Sequence, residues 1–289
     1  MYTPQLSTVM TDLYVAMAGQ LILSAIVGLI VARMLHRSRS PIRNLTAAGF
    51  VAILISNIFW WREARWWALI FPSTALPVLS NVLPVLLGAI AGCSWVQLST
   101  AKPRRWVVLP LVLALTAISA ITPLTGHPPE CGDEWQDGVC IQSGPDTCGP
   151  AAAATLLSSY NIPASEAEMA ELCLTRRLGT TWMGAYRGLK IKTARTGYQV
   201  CAQPLTHKEL LSMQGPVWLR VEIKPGEDVP EIYTEEWGWT PGQPHAVVYY
   251  GRRGMDRIRI GDPSIGAEEW SLEDLEHLWH GEALWLTSS

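Results

Sequence analysis

Four residues in the second half of the chain have the types and spacing of an acyl-transfer site: Gln142, Cys148, His245 and Asp262. Cys148 stands where a loop gives way to a helix, because Gly149 and Pro150 lead into four alanines, then Leu156, Leu157 and Tyr160. Proline is tolerated in a first helical turn, where the N–H it lacks would have no intrahelical acceptor. The helix dipole and the free N–H groups at that end favour an anion, and a thiolate is one. Gln142, six residues upstream, supplies an amide donor for a developing oxyanion. Taken alone, Cys148 reads as a buried helix-start cysteine. Its reading as a nucleophile therefore depends on partners elsewhere.

Those partners come from a hairpin. Residues 246–250 and 257–261 read as two strands joined by a turn through residues 252–256. Centring the turn between Arg253 and Gly254 puts His245 directly across from Asp262 at the open end. Directly opposed side chains share a face, about 5 Å apart at Cβ. A carboxylate there can fix the imidazole tautomer and stabilise its cation, the orienting role in a catalytic triad. Separately, His245 reads as a loop histidine and Asp262 as a turn former before Pro263. Trp237 and Trp239, in the long loop just before His245, are candidates for lining the substrate cleft; the alternatives are a packing cluster or a membrane-surface contact.

The elements around these residues follow from pattern. The helix opened by Cys148 runs to about Tyr160. Ser165 precedes Glu168 by three residues, a capping-box spacing that opens a second helix. Gly179, Thr180 and Thr181 open a third, with Trp182, Ala185, Leu189 and Ile191 on one face. A strand is expected over 198–202 and a helix over 206–213. Residues 217–223, VWLRVEI, alternate with the period of a half-buried strand. Ser271 opens a helix that continues through Trp279, and a last strand spans 283–286. Helices first and antiparallel strands after make an α+β domain.

The first half is a different material. Residues 1–125 carry nine Lys/Arg against Asp12 and Glu63, a balance of +7, which leaves −10 for the remainder of a chain whose net charge is −3. Four apolar runs, at about residues 13–34, 45–61, 68–98 and 106–123, are expected to be transmembrane helices, making the lipid bilayer a partner. The third is broken by Pro72, Pro77 and Pro84. The first is too long for a signal peptide and lacks a basic leader. Basic residues cluster at 33–43 and at 100–105, with a weaker set, Arg62, Glu63 and Arg65, between the second and third runs. Marking the two basic loops as cytoplasmic leaves the C-terminal half on the extracytoplasmic side of a bacterial inner or plasma membrane. The expected domains are a membrane domain over 1–124, a linker over 125–136 and a soluble domain over 137–289. Cys131 with Cys140, and Cys173 with Cys201, are disulfide candidates suited to that oxidising side; reduced, unpaired thiols are the alternative.

Read together, Gln-x5-Cys-Gly-Pro-Ala with a following Tyr, Gly-Thr-Thr before a helix, His-Ala-Val-Val and Gly-Asp-Pro-Ser-x-Gly resemble the bacteriocin-processing (double-glycine leader) cysteine peptidases. The resemblance covers about residues 137–287. It implies a papain-like α+β fold behind the helical membrane domain. It also implies a cysteine peptidase that hydrolyses peptide bonds, with leader-peptide processing as its task. On this resemblance Cys148 is the nucleophile, His245 the general base, Asp262 the residue that orients it, and Gln142 the side-chain donor of the oxyanion hole beside the Cys148 N–H. The best-known members sit on export transporters, so an export transporter is a candidate partner beside the peptide or protein substrate. Ala246 departs from the bulkier residue many relatives have there. The competing readings are a papain-like module that binds peptide without cutting it, and a membrane sensor or transport accessory. No basic stripe points to nucleic acid, and no Cys/His spacing fits a metal, so neither metal nor cofactor is expected.

Overall fold

A computed structural model describes residues 6–61, 64, 66–98 and 102–288. Arg62, Glu63 and Arg65 of the second connection, and Thr100 of the third, lie outside these residues. The chain forms two compact units: Met1–Trp67 with Ala75–Thr125, and Ala68–Thr74 with Gly126–Ser289.

The first unit is helical: α1 (Leu6–His36), α2 (Ser40–Ser56) continued by a π turn to Trp61, α3 (Trp67–Ile70), α4 (Leu76–Leu79), α5 (Leu83–Gln97) and α6 (Lys102–Ile121). Among the described residues four stretches, Met10–His36, Ser40–Trp61, Leu76–Gln97 and Pro103–Leu124, are long and apolar enough to cross a membrane. α1 and α5 meet backbone to backbone. A Cβ added to Gly28 would stand 2.7 Å from the Gly88 carbonyl oxygen, and one on Gly88 or Gly92 would overlap the Ser24 or Gly28 carbonyl. Small residues permit this approach, which apolar packing in lipid requires. The third apolar run is interrupted as its prolines imply: Pro77 and Pro84 sit in the first turns of α4 and α5. Gln20 bridges the interruption, donating to Val78 O at 2.7 Å and Asn81 O at 2.9 Å, so the carbonyls freed by the break have partners.

The second unit is the α+β domain. Its elements are β1 (Glu134–Gln136), β2 (Val139–Ile141), α7 (Cys148–Ser158), α8 (Glu166–Leu172), α9 (Trp182–Thr193), β3 (Tyr198–Cys201), α10 (His207–Ser212), β4 (Val217–Val221), α11 (Ile232–Glu235), β5 (His245–Arg253), β6 (Arg257–Asp262), β7 (Gly266–Ser271), α12 (Leu272–Leu278) and β8 (Trp279–Ser288). Strands β3-β8-β4-β5-β6-β7 make one antiparallel sheet, and β1 pairs with β2 within the stretch expected to begin as linker. α7 is buried along nearly its whole length. Its alanines let it lie close to the sheet, where the Trp218 indole donates to the Gly149 carbonyl at 3.3 Å. Val217, Leu219, Val221, Val247, Tyr249, Ile258, Ile260 and Trp270 point to the other face and form a core with Leu275 and Leu278 of α12. The caps expected at Ser165 and Ser271 form, Ser165 accepting from Glu168 N at 3.1 Å and Ser271 from Asp274 N at 3.0 Å.

Two boundaries differ from expectation. β7 was not expected: Gly-Ala-Glu-Glu-Trp-Ser carries two charges, and only register against β6 makes it a strand. Trp279 begins β8 instead of ending a helix, pairing with Val221 of β4. In both cases tertiary pairing overrides local propensity.

Candidate active site

The Cys148 end of the site is built from one loop. Cys148 is the first residue of α7, so its N–H has no intrahelical acceptor and faces outward. The loop before it is braced at each step. Gln142 N donates to Pro263 O at 2.8 Å, Ser143 N to Glu166 Oε1 at 2.7 Å, and Gly144 N to Thr147 Oγ1 at 3.0 Å. The Ser143 hydroxyl also donates to Glu166, which is fully buried, and Glu166 N in turn donates to Asp133 Oδ1 at 3.0 Å. Glu166 was not singled out from the sequence, because its partner Ser143 lies 23 positions back.

The base end is built from the hairpin, in a register that corrects the expected one. Arg252 pairs with Ile258 and Arg253 with Arg257, so the tip is Gly254–Met255–Asp256 and not a turn centred before Gly254. That displaces the register by three residues near the tip, an odd number that would send His245 and Asp262 to opposite faces. A bulge between Tyr249 and Gly251 takes one residue back, and beyond it Val248 pairs with Gly261. The remaining displacement is even. His245 and Asp262 share a face diagonally, within reach of an imidazole, and His245 Nε2 lies 2.8 Å from Asp262 Oδ1. Gly261 makes room for the bulged residue: a Cβ there would stand 2.8 Å from the Tyr250 ring.

Asp262 is a turn former as well as the partner of His245. Its Oδ1 also accepts the Ser264 N–H at 2.7 Å, an Asx-type turn after β6. Ser264, unflagged beforehand, links the two ends, its hydroxyl 3.3 Å from Gln142 Oε1 and 3.5 Å from His245 Nε2. With its oxygen engaged, the Gln142 carboxamide leaves its NH2 free to donate.

His245 interacts with Cys148 as well as with its hydrogen-bond partner Asp262. With Nε2 on Asp262, Nδ1 is the nitrogen left for sulfur. Burial pulls the imidazolium down, but the bond to Asp262, the neighbouring Cys148 and the charges of both outweigh it, pushing His245 up to about 10. An imidazolium is the form of His245 that these contacts favour. Cys148 and His245 open onto a cleft of about 240 Å³ lined also by Asp146, Gly149, Arg177, Leu178, Thr180, Trp218 and Ala246.

Trp237 and Trp239 do not line this cleft. Trp237 is half exposed and packs edge-on against Tyr233, ring centres 4.8 Å apart. Trp239 backs the imidazole, its ring 5.8 Å from that of His245 at 81°. The four disulfide candidates are free thiols in this structure. Cys173 presses its sulfur against Gly188 between α8 and α9, whereas Cys201 meets Thr287 Oγ1 at 3.5 Å on the edge strand β3. Cys131 turns toward Pro129 O, and Cys140 is fully buried in β2. Burial, reinforced by Glu166 and Asp133, pushes Cys131 up to about 11 and Cys140 up to about 12, so both are held as thiols.

No protein-family model and no curated protein matches the chain. Solved structures similar to it include peptidase domains of transporters. The peptidase domain of Streptococcus ComA, a bi-functional ABC transporter of a quorum-sensing pathway, is 23% identical over 52% of this chain and 98% of its own, with a TM-score of 0.41. A double-glycine motif protease from an AMS/PCAT transporter, solved with its leader peptide, is 18% identical over 52% of this chain and 91% of its own, also at 0.41. The Streptococcus mutans ComA peptidase domain is 21% identical over 52% and 98%, at 0.35.

Proposed function

We propose that this protein is a membrane-anchored cysteine peptidase, its residues 1–124 the anchor and residues 137–289 the peptidase domain. One observation carries the reading. A single imidazole, His245, is hydrogen-bonded at 2.8 Å to the buried Asp262 and also interacts with Cys148, the first residue of a buried helix. Structural cysteines and histidines have no need of that linear order of thiol, imidazole and carboxylate.

The Cys148 thiolate attacks a peptide carbonyl carbon, and the carbonyl electron pair moves to oxygen. Gln142 NH2 and the Cys148 N–H donate to that oxyanion. As the tetrahedral centre collapses, the C–N bond breaks and His245 Nδ1 gives its proton to the departing amine. Water, deprotonated by the now neutral His245, then attacks the thioester, releasing the acid and restoring the thiolate. Asp262 keeps the imidazole in the orientation that serves both steps. Leader peptides ending in a glycine pair are the substrates the resemblance points to.

The peptidase domain is read as extracytoplasmic, from the arginines of loop 33–43 and the basic loop 100–105. Four spans give the second connection and the C-terminal domain the same side. The grouping of Ala68–Thr74 with Gly126–Ser289, and the Arg187 donation to Thr74 O at 2.6 Å, support that placement.

The test uses full-length protein in detergent with peptides carrying a Gly-Gly pair. Cleavage that is lost in Cys148→Ala and in His245→Ala establishes the peptidase. Saturable binding with no cleavage by the unaltered protein makes it a peptide-holding module instead. For topology, a membrane-impermeant maleimide should reach Glu227→Cys in intact cells; protection there until lysis overturns the outward placement.

A further inference from the structure

We propose that Glu268 is a positioning residue for the reaction: a second carboxylate, one strand beyond Asp262, that sustains the charge on His245 from the sheet face they share. This rests on the reading of Cys148, His245 and Asp262 as a peptidase triad. Register brings the group there. Tyr249 pairs with Ile260, and Ile260 with Glu268. Stepping by two along each strand, His245, Val247 and Tyr249 of β5, Ile258, Ile260 and Asp262 of β6, and Gly266, Glu268 and Trp270 of β7 point to one side. Asp262 stands directly across from Gly266, which has no side chain. Glu268, the next residue on that face, is therefore the nearest β7 side chain to the His245–Asp262 pair.

Its carboxylate is held in place. Trp270 Nε1 donates to Glu268 Oε1 at 2.6 Å. Trp270 packs edge-to-face on Trp239 with ring centres 6.1 Å apart, and Trp239 packs in the same manner on His245. Carboxylate, two indoles and imidazole thus run in one connected path. The charged or titratable groups facing Glu268 are His245 from β5, Asp262 from β6 and Asp274 from α12, the last accepting from the Tyr233 hydroxyl at 2.6 Å.

Burial and then Asp262 push the Glu268 carboxyl up to about 7, against the Trp270 bond and the His245 charge that pull it down. It therefore changes charge in the neutral range. Below that point it is neutral. Above it, the new anion favours the imidazolium, so a rise in pH strengthens the thiolate–imidazolium pair until His245 itself loses its proton.

The experiment measures alkylation of the full-length protein by iodoacetate at Cys148, read by mass spectrometry, from about pH 5 to about pH 11. The reagent is an anion drawn by the imidazolium, so its rate falls where His245 deprotonates. The unaltered protein should show that alkaline fall near its His245 value of about 10 and an inflection near 7. Glu268→Gln should lose the inflection and bring the fall to lower pH by about one unit, the size of a charge–charge interaction across a partly buried site. Glu268→Asp should restore part of the shift. Trp270→Phe keeps the ring and removes the donor, so its inflection should move to higher pH. A merely structural Glu268 would change the melting temperature or the overall rate and leave both features where they are; that result overturns the proposal. Failure of Cys148 to react faster than Cys201 in the unaltered protein, or indifference to His245→Ala, defeats the peptidase reading itself. An unchanged Glu268→Gln profile with that selectivity intact defeats this inference alone.

Discussion

The two ends of the site are held in different ways. The nucleophile end is local: Gln142 and Cys148 are six residues apart in one loop, and the loop is fixed by bonds to Pro263, Glu166 and Thr147. The base end is assembled by pairing: His245 and Asp262 meet only because a three-residue tip and a one-residue bulge leave them on one face. A local site tolerates slack in its neighbours, since the chain itself sets the spacing. A paired site does not, because one residue of slip inverts every side chain in the strand. The base end should therefore be the more fragile of the two, and substitutions can be ranked against that expectation.

Asp262→Asn is the strongest test, because it keeps the shape and removes the charge. The imidazole then loses the first of the contacts that lift it, and burial, which pulls it down, is opposed by Cys148 and the more distant Glu268. Turnover should fall roughly 10²–10⁴-fold, and the alkaline limb of the pH profile should move well below about 10. The linkage has the same sign. His245 is raised in the folded state, so the pair's stabilisation is complete below the ordinary imidazole value near 6.5 and is lost as pH rises through about 10. A melting temperature that falls between those limits in the unaltered protein, but not in Asp262→Asn, would show the linkage directly. Equal activity in the two proteins would remove Asp262 from the reaction.

The same division explains what the sequence could reveal. Cys148 at a helix start, the caps at Ser165, Thr181 and Ser271, and the existence of β4 are written in neighbouring residues, and all are found, although β4 is buried on both faces instead of alternating. The four apolar stretches are legible for the same reason. The hairpin register was not, because nothing within residues 252–256 says which three of them make the tip, and the bulge at Tyr250 is stabilised from outside by a glycine on the next strand. Pairing His245 with Asp262 was right for a reason the expected register did not contain. β7 was invisible because its apolar residues are few, and Glu166 because its partners are far back in the chain. The free state of Cys173 and Cys201 is likewise a matter of which neighbours the fold gives each sulfur.

On the nucleophile side, Gln142→Ala removes the side-chain donor and leaves the Cys148 N–H. Turnover should drop roughly 10²–10³-fold, about 3–4 kcal/mol of barrier. KM should change little, since the bond strengthens only as charge develops on oxygen. A rise in KM with turnover intact would make Gln142 a substrate contact instead.

Glu166→Ala should act one step further out. It strips two donors of Ser143 of their acceptor inside a region where Glu166 is fully buried. Each unsatisfied buried donor costs about 1–3 kcal/mol, so the loss should show first as a lower melting temperature. Whatever activity remains should be reduced by loop disorder and not by chemistry, and should recover with Glu166→Gln, which can still accept one of the two bonds. Loss of activity at unchanged stability would mean that Glu166 touches the reaction.

Ser264→Ala is the smallest and the most discriminating change, because Ser264 touches both ends. Its backbone N–H on Asp262 survives the substitution, so the turn and the base end remain. Only the hydroxyl is removed, and with it the 3.3 Å bond to Gln142 Oε1 and the longer approach to His245. A neutral, exposed hydrogen bond of that length is worth about 0.5–1.5 kcal/mol, so turnover should fall about 2–12-fold with the pH limbs unmoved. If the loss comes through Gln142, the double variant Gln142→Ala/Ser264→Ala should be no worse than Gln142→Ala alone. Additive losses would put the hydroxyl on the imidazole, and the base end would then depend on three partners instead of two.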